Sequence, residues 1–190
     1  TNDTADMGSF VYPLMQINDV VGLQADVAYG GIDQRGIYML GRELLPKIGG
    51  SKFSCVFTGL IPSFSGGKTK MSASDAKSRI DILESSKEIE EKINSAYCLA
   101  GEVDGNGLLV FVKNVLFPIN KKLEVLRPEK FGGDIVYDSY EILENHYAAK
   151  KLHPMDLKKA VARDINILLD PIRKHFSKKK SLINKAYPQN

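Results

Sequence analysis

Three short stretches of this 190-residue chain carry residue types and spacings that can do chemistry. In "YPLMQINDV", Tyr12, Gln16 and Asp19 fall at i, i+4 and i+7, one face of a helix. Three polar groups on one face can surround a small polar ligand, although a solvent-facing polar stripe has the same spacing. In "GGIDQR", Gly30 and Gly31 let the backbone approach a ligand closely. Asp33 can accept from sugar hydroxyls, and Gln34 can both donate and accept. Taken alone, these residues also suit a strand–turn–helix cap. The third stretch is "GGKTKMSASD", residues 66–75. Its "GGKT" imitates the end of a phosphate-binding P-loop, but that motif needs glycine at position 62, where Pro62 stands. A plain flexible linker would not need Lys70, Met71, Ser72 and Ser74 in this order.

The elements that must position these groups follow from periodicity and punctuation. Residues 12–24 read as a helix with Pro13 in its first turn, where a missing N–H costs nothing. "ADVAYGG" reads as a strand closed by a turn. Apolar residues at Ile37, Leu40, Leu44 and Leu45 then form a helical stripe stopped by Gly49 and Gly50. "FSCVFTG" reads as a second, buried strand. Helix, strand, helix, strand with short Gly-rich connections predicts part of a parallel α/β sheet. Past residue 60 the character changes. Ser85 and Glu88 have capping-box spacing, and helical patterns cover 107–117, 138–150 and 154–176. Between them, "KLEVLRPEKFGGDIVYDS" offers two short β segments around Phe131-Gly132-Gly133. We therefore expect residues 1–78 to form an α/β portion including the loop at 66–75, and residues 79–190 to form a mostly α-helical domain.

Composition excludes some classes. No apolar run approaches the roughly 20 residues of a membrane helix, and the first residues lack a basic, apolar leader. Cys55 and Cys98 are far apart, with no CxxC, which predicts reduced thiols and no structural metal. The net charge of +3 is unevenly spread: beyond Asp170 the charged residues are all basic, namely Arg173, Lys174, Lys178, Lys179, Lys180 and Lys185. Such a block can follow a phosphate backbone or can simply be a solvated helix end.

"KMSAS" at Lys70–Ser74 resembles the KMSKS signature of class I aminoacyl-tRNA synthetases. The physical logic fits, because a lysine on a Gly-hinged loop can close on the charge that builds on ATP phosphates in the transition state. Together with "YPLMQINDV", "GGIDQR", "RPEKFGGD" and "LHPMDLK", the chain from about residue 11 onward resembles the tyrosyl-tRNA synthetases of the archaeal and eukaryotic type. The resemblance implies the second part of a Rossmann-type parallel sheet followed by a helical anticodon-binding domain. It implies ATP-dependent formation of tyrosyl-adenylate, with Mg2+ arriving on ATP, and transfer to tRNA(Tyr) in the cytoplasm by an enzyme that is a homodimer at full length. By the same resemblance, Tyr12 and Gln16 contact the substrate's α-amino group, with Asp19 near its phenol or amino end. Gly31, Asp33 and Gln34 line the adenylate site, and Lys70 is the catalytic cation of the phosphate loop formed with Met71, Ser72 and Ser74. A site that hydrogen-bonds the phenol can reject phenylalanine.

In the helical domain, Phe131 can be a stacking platform or core, and Asp156 can accept from a guanine edge or be a helix N-terminal carboxylate favoured by the dipole. The resemblance implies the stacking and base-edge roles at the first anticodon base, with His153 beside them. One position departs from the signature: Ala73 stands in place of its second lysine, leaving Lys70, and by our own suggestion Lys68, to supply the charge. None of His146, His153 and His175 stands in a HIGH-like context, the other phosphate-binding motif of the class. We therefore expect the 190-residue chain alone not to form tyrosyl-adenylate, and its α/β portion to be poorly ordered or self-associated. A non-catalytic tRNA-binding module and the related tryptophanyl enzyme are the competing readings.

Overall fold

The computed structural model describes residues 7–66, 71 and 79–186. It folds as two units, Thr1–Leu60 and Ile61–Asn190. The first opens with helix α1 (Met7–Gly22), whose inner edge is set by Ile17 and Val20, three residues apart and both buried. The helix begins five residues earlier than its sequence pattern suggests, so Pro13 lies inside it rather than in its first turn. Strand β1 (Val27–Gly31) follows, then a single 3-10 turn (Ile32–Gln34), α2 (Arg35–Leu44) and a second 3-10 turn (Leu45–Ile48). Gly49 ends that turn at φ +82°, a left-handed conformation that glycine adopts without a Cβ penalty.

Strand β2 (Ser54–Thr58) pairs parallel with β1, Ala28 opposite Cys55 and Gly30 opposite Phe57. A β–α–β crossover of this kind is the unit expected of a parallel sheet. The core is Ile17, Val20, Ala28, Leu45 and Phe53, with Ala25, Ile37, Tyr38 and Cys55 packed against it. β2 is not the buried strand its apolar run predicts. Cys55 and Phe57 are half-buried, whereas Ser54, Val56 and Thr58 are exposed. Side chains alternate across a strand, and in this unit Ala28 and Cys55 meet the core while Val27, Tyr29 and Val56 lie exposed.

In the second unit, helix α3 (Ser86–Ser95) starts with a complete capping box. The Ser85 side chain accepts the Glu88 N–H, and Glu88 accepts the Ser85 N–H. Helix α4 (Gly107–Phe111) runs through a π turn (Val112–Leu116) into α5 (Phe117–Asn120). Strands β3 (Leu123–Val125) and β4 (Ile135–Tyr137) pair antiparallel around the Phe131-Gly132-Gly133 turn. Helix α6 (Tyr140–Ala148), the long α7 (Pro154–Ser177) and a short α8 (Lys180–Ala186) complete it. α3 packs along α7. Ile89, Ile93, Leu109, Leu143, Leu157 and Val161 are fully excluded from solvent. No helix among the described residues is long and apolar enough to cross a membrane.

Candidate functional site

The first unit brings two of the sequence motifs together. Gln16 of α1 donates from Nε2 to Oε1 of Gln34, which caps α2, at 3.1 Å. The Gln16 Oε1 is buried and, among the described residues, accepts no hydrogen bond. Tyr12 and Asp19, one helical turn to either side, are exposed, Tyr12 to 59%. The glycine pair ends β1 at its C-terminal edge, where open parallel sheets bind their ligands. A Cβ on Gly31 would lie 2.5 Å from Asp33 Oδ1, so the aspartate sits where a side chain at Gly31 would be. Thr58 of the neighbouring strand donates its hydroxyl to the Gly30 carbonyl at 3.4 Å. The sequence pattern does not single out Thr58; the strand register brings it to this edge.

Of the expected phosphate loop, Met71 is described, and Lys68, Lys70, Ser72, Ala73 and Ser74 lie outside the described residues. Met71 is half-buried against the helical core and donates its N–H to the Ile61 carbonyl at 3.0 Å. The flanks are fastened too. Tyr97 N–H donates to Phe64 O at 2.7 Å, and Lys92 Nζ donates to Arg79 O at 3.0 Å while pairing with Glu84.

In the second unit, Phe131 is 61% exposed and so is a free ring rather than core. It lies in a short 3-10 turn (Glu129–Phe131) ended by Gly132 at φ +96°, and Gly133 follows at φ +69°. Lys130 Nζ stands over the ring, 4.9 Å from its centroid. His153 is the N-cap of α7, its Nδ1 accepting the Met155 N–H at 3.1 Å. Pro154 takes the first helical position, and Asp156 sits half-buried in the first turn, where the helix dipole favours a carboxylate. Part of the basic block is occupied internally: Lys174 pairs with Asp170 at 2.5 Å, and Arg173 donates to Ser86 Oγ and Asn166 Oδ1. Lys178 and Lys185 are exposed. Among the described residues no group of His, Cys, Asp and Glu is gathered to hold a metal ion.

With this geometry in place, the comparisons give the lineage. The sequence profile of tRNA synthetases class I (W and Y) matches residues 1–170, and the chain belongs to that family. Within the family its similarity is to the tyrosine branch of archaea and eukaryotes. It is 45% identical over 192 residues to the tyrosine–tRNA ligase of Haloarcula marismortui, covering 99% of this chain and 55% of that protein. It is 42% identical to the cytoplasmic tyrosine–tRNA ligase of Saccharomyces cerevisiae, covering 96% of this chain and 49% of that one. The crystal structure of Archaeoglobus fulgidus tyrosyl-tRNA synthetase complexed with L-tyrosine superposes with a TM-score of 0.80 at 41% identity, over 92% of this chain and 54% of that chain. The chain thus spans about half the length of the relatives it matches.

Proposed function

We propose that this chain carries the tyrosine side of an adenylate site, the lysine loop and the anticodon-reading domain of a tyrosine–tRNA ligase. The overall reaction joins tyrosine to ATP with release of pyrophosphate, then moves the tyrosyl group to tRNA(Tyr). The observation that carries this reading is the hydrogen bond between Gln16 and Gln34. It joins two motifs eighteen positions apart at the carboxyl edge of a parallel strand.

In this reading Tyr12 and Gln16 receive the substrate's amino group, with Asp19 at the edge of the same face. Gly31 leaves room for Asp33 to meet the ribose, and Gln34 bridges to Gln16. Lys70, on the loop with Met71, Ser72 and Ser74, compensates phosphate charge as pyrophosphate leaves. Mg2+ enters as part of the Mg–ATP substrate. Residues 1–78 serve activation and residues 79–190 serve tRNA recognition, where Phe131 stacks the first anticodon base and Asp156 and His153 meet its edge. The cytoplasmic designation of the yeast relative and its kin supports the same compartment for this chain. Homodimer formation belongs to the same proposal.

Two measurements test it. In filter binding, Phe131→Ala should weaken tRNA(Tyr) by about tenfold, because stacking one base on an aromatic ring is worth ~1–3 kcal/mol. Asp156→Ala should reduce discrimination at the first anticodon base. Unchanged affinity and unchanged discrimination would remove the anticodon assignment. In tyrosine-dependent ATP–pyrophosphate exchange the 190-residue chain should be inactive, since it carries no HIGH-like motif. Exchange at the rate of a full-length enzyme would refute that part.

A further inference from the structure

Phe131 and the His153–Asp156 corner come from loops more than twenty residues apart, and one side chain touches both. Arg127, half-buried just after β3, donates from Nε to the Gly133 carbonyl at 2.6 Å. From Nη1 it donates to the Lys151 carbonyl at 3.4 Å. Its own N–H is held by Asp134 Oδ1 at 2.8 Å. Gly133 lies two residues after Phe131, and Lys151 lies two residues before the His153 cap. The Phe131, Gly132 and Gly133 N–H groups bond to Pro128 and Glu129, Lys151 N–H bonds to His146 O, and Leu152 is buried. The space is shaped for the guanidinium: a Cβ on Gly132 would stand 3.2 Å from Arg127 Nη2.

We propose that Arg127 is a positioning residue for anticodon recognition. Its planar fork spans the two loops and sets the distance between the Phe131 ring and the His153–Asp156 edge, so that one base can be stacked and read at once. This inference rests on the anticodon reading above. A guanidinium suits the task because its donors leave several nitrogens in fixed, divergent directions, whereas all the donors of a lysine leave one nitrogen. The role is separable from general attraction for RNA, because Arg127→Lys keeps the charge and loses the span.

The chain contains no tryptophan, so Phe131→Trp introduces a single indole reporter at the stacking position. The probes are two RNA hairpins carrying the tyrosine anticodon loop, one with guanine and one with cytosine at the first anticodon position. In the Phe131→Trp protein, the guanine hairpin should quench the indole and bind more tightly than the cytosine hairpin. Adding Arg127→Gln, or separately Arg127→Lys, should cut that preference about tenfold, the scale of a lost charge-assisted hydrogen bond. Thermal melting identifies any variant that fails to fold, and the charge-preserving lysine variant then carries the test. If the preference survives in both arginine variants while Asp156→Ala abolishes it, Arg127 does not position the site. Full preference in Arg127→Lys with loss in Arg127→Gln would assign the residue to charge attraction and overturn the bridging role. If neither hairpin quenches the indole and Asp156→Ala binds both unchanged, the anticodon reading fails and this inference falls with it.

Discussion

Adding one methyl group at Gly107 tests how the base of the lysine loop is mounted. Gly107 is the first residue of α4, buried, with Asn106 as its N-cap accepting the N–H groups of Leu108 and Leu109. In most helices Gly→Ala is stabilising, by ~1 kcal/mol at interior positions and less in the first turn. Here the new Cβ would sit 2.7 Å from the Ser63 carbonyl oxygen and 3.1 Å from that of Pro62. Those are backbone atoms, so no rotamer change relieves the overlap. The 62–64 segment must move, yet Phe64 is 2% exposed in the core and its carbonyl accepts the Tyr97 N–H at 2.7 Å. Overpacking of this kind costs ~1–3 kcal/mol. After the small propensity gain we expect Gly107→Ala to lose ~1–2 kcal/mol, moving the urea midpoint of the helical unit down by roughly 0.5–1 M. Gly36→Ala is the control, because a Cβ there meets nothing within 4 Å. It should stabilise α2 by ~0.5 kcal/mol, read as slower amide exchange in that helix. A Gly107→Ala protein with a midpoint equal to or above that of the parent would refute the packing argument, since it would mean that the 62–64 backbone is not held.

Three further outcomes follow. Tyr147 is fully buried, donates its hydroxyl to the Leu99 carbonyl at 2.8 Å and touches Cys98 Sγ at 3.0 Å, and burial pushes its ionisation well above the ordinary tyrosine range. Tyr147→Phe should therefore destabilise the helical unit by ~1–2 kcal/mol with no change in its chain fold, checked by denaturation and circular dichroism. Hydrogen bonds from the Ser85 side chain and then its backbone hold the Glu88 carboxyl below its ordinary 4.5. A depressed folded-state value means that its contribution is complete above pH 4.5 and is lost as pH falls through that lower value. Glu88→Gln should thus flatten the acid limb of the stability profile, and an unchanged limb would remove Glu88 as a source. Pro13 lacks the N–H that an interior helical residue donates, so Pro13→Ala should strengthen α1, by at most ~3 kcal/mol, and slow amide exchange across its first turns.

What could be read from the sequence was local. Ser85 and Glu88 announce the start of α3, and the Gly30–Gly31 pair announces the end of β1, because capping and turn chemistry act within a few residues. The early start of α1 was hidden by Gly8 and Ser9, weak helix formers, and by a proline that fits a first turn better than an interior. The half-exposure of β2 could not be seen in its apolar run, since it depends on which sheet face the helices cover. The π turn at Val112–Leu116 and helix α8 also lacked a local signal. The candidate site divides the same way. Gln16 and Gln34 were each visible in a motif, but their hydrogen bond needs α1 packed beside α2. Arg127 stands in the "RPEKFGGD" motif, but its link to Lys151 is made by the fold and has no sequence signal.

Packing and proposed chemistry divide the chain at different places, and the difference bears on how the loop works. The lysine loop is proposed to act on the adenylate built by Gln16, Asp33 and Gln34, yet its described roots are fixed in the other unit. Met71 bonds to Ile61 and packs on the helical core, Phe64 receives Tyr97, and Arg79 receives Lys92. Gly66, at φ +85°, lies so close to the Tyr97 ring that a Cβ would meet its Cγ at 2.5 Å. The described residues on either side of the loop, Phe64 and Gly66 before it and Arg79 after it, are thus all held within the second unit. On the proposed function, a substitution that frees Tyr97 or Lys92 should slow tyrosine-dependent pyrophosphate exchange by a full-length ligase carrying this chain, and an unchanged rate would show that these anchors do not matter to the lysine loop.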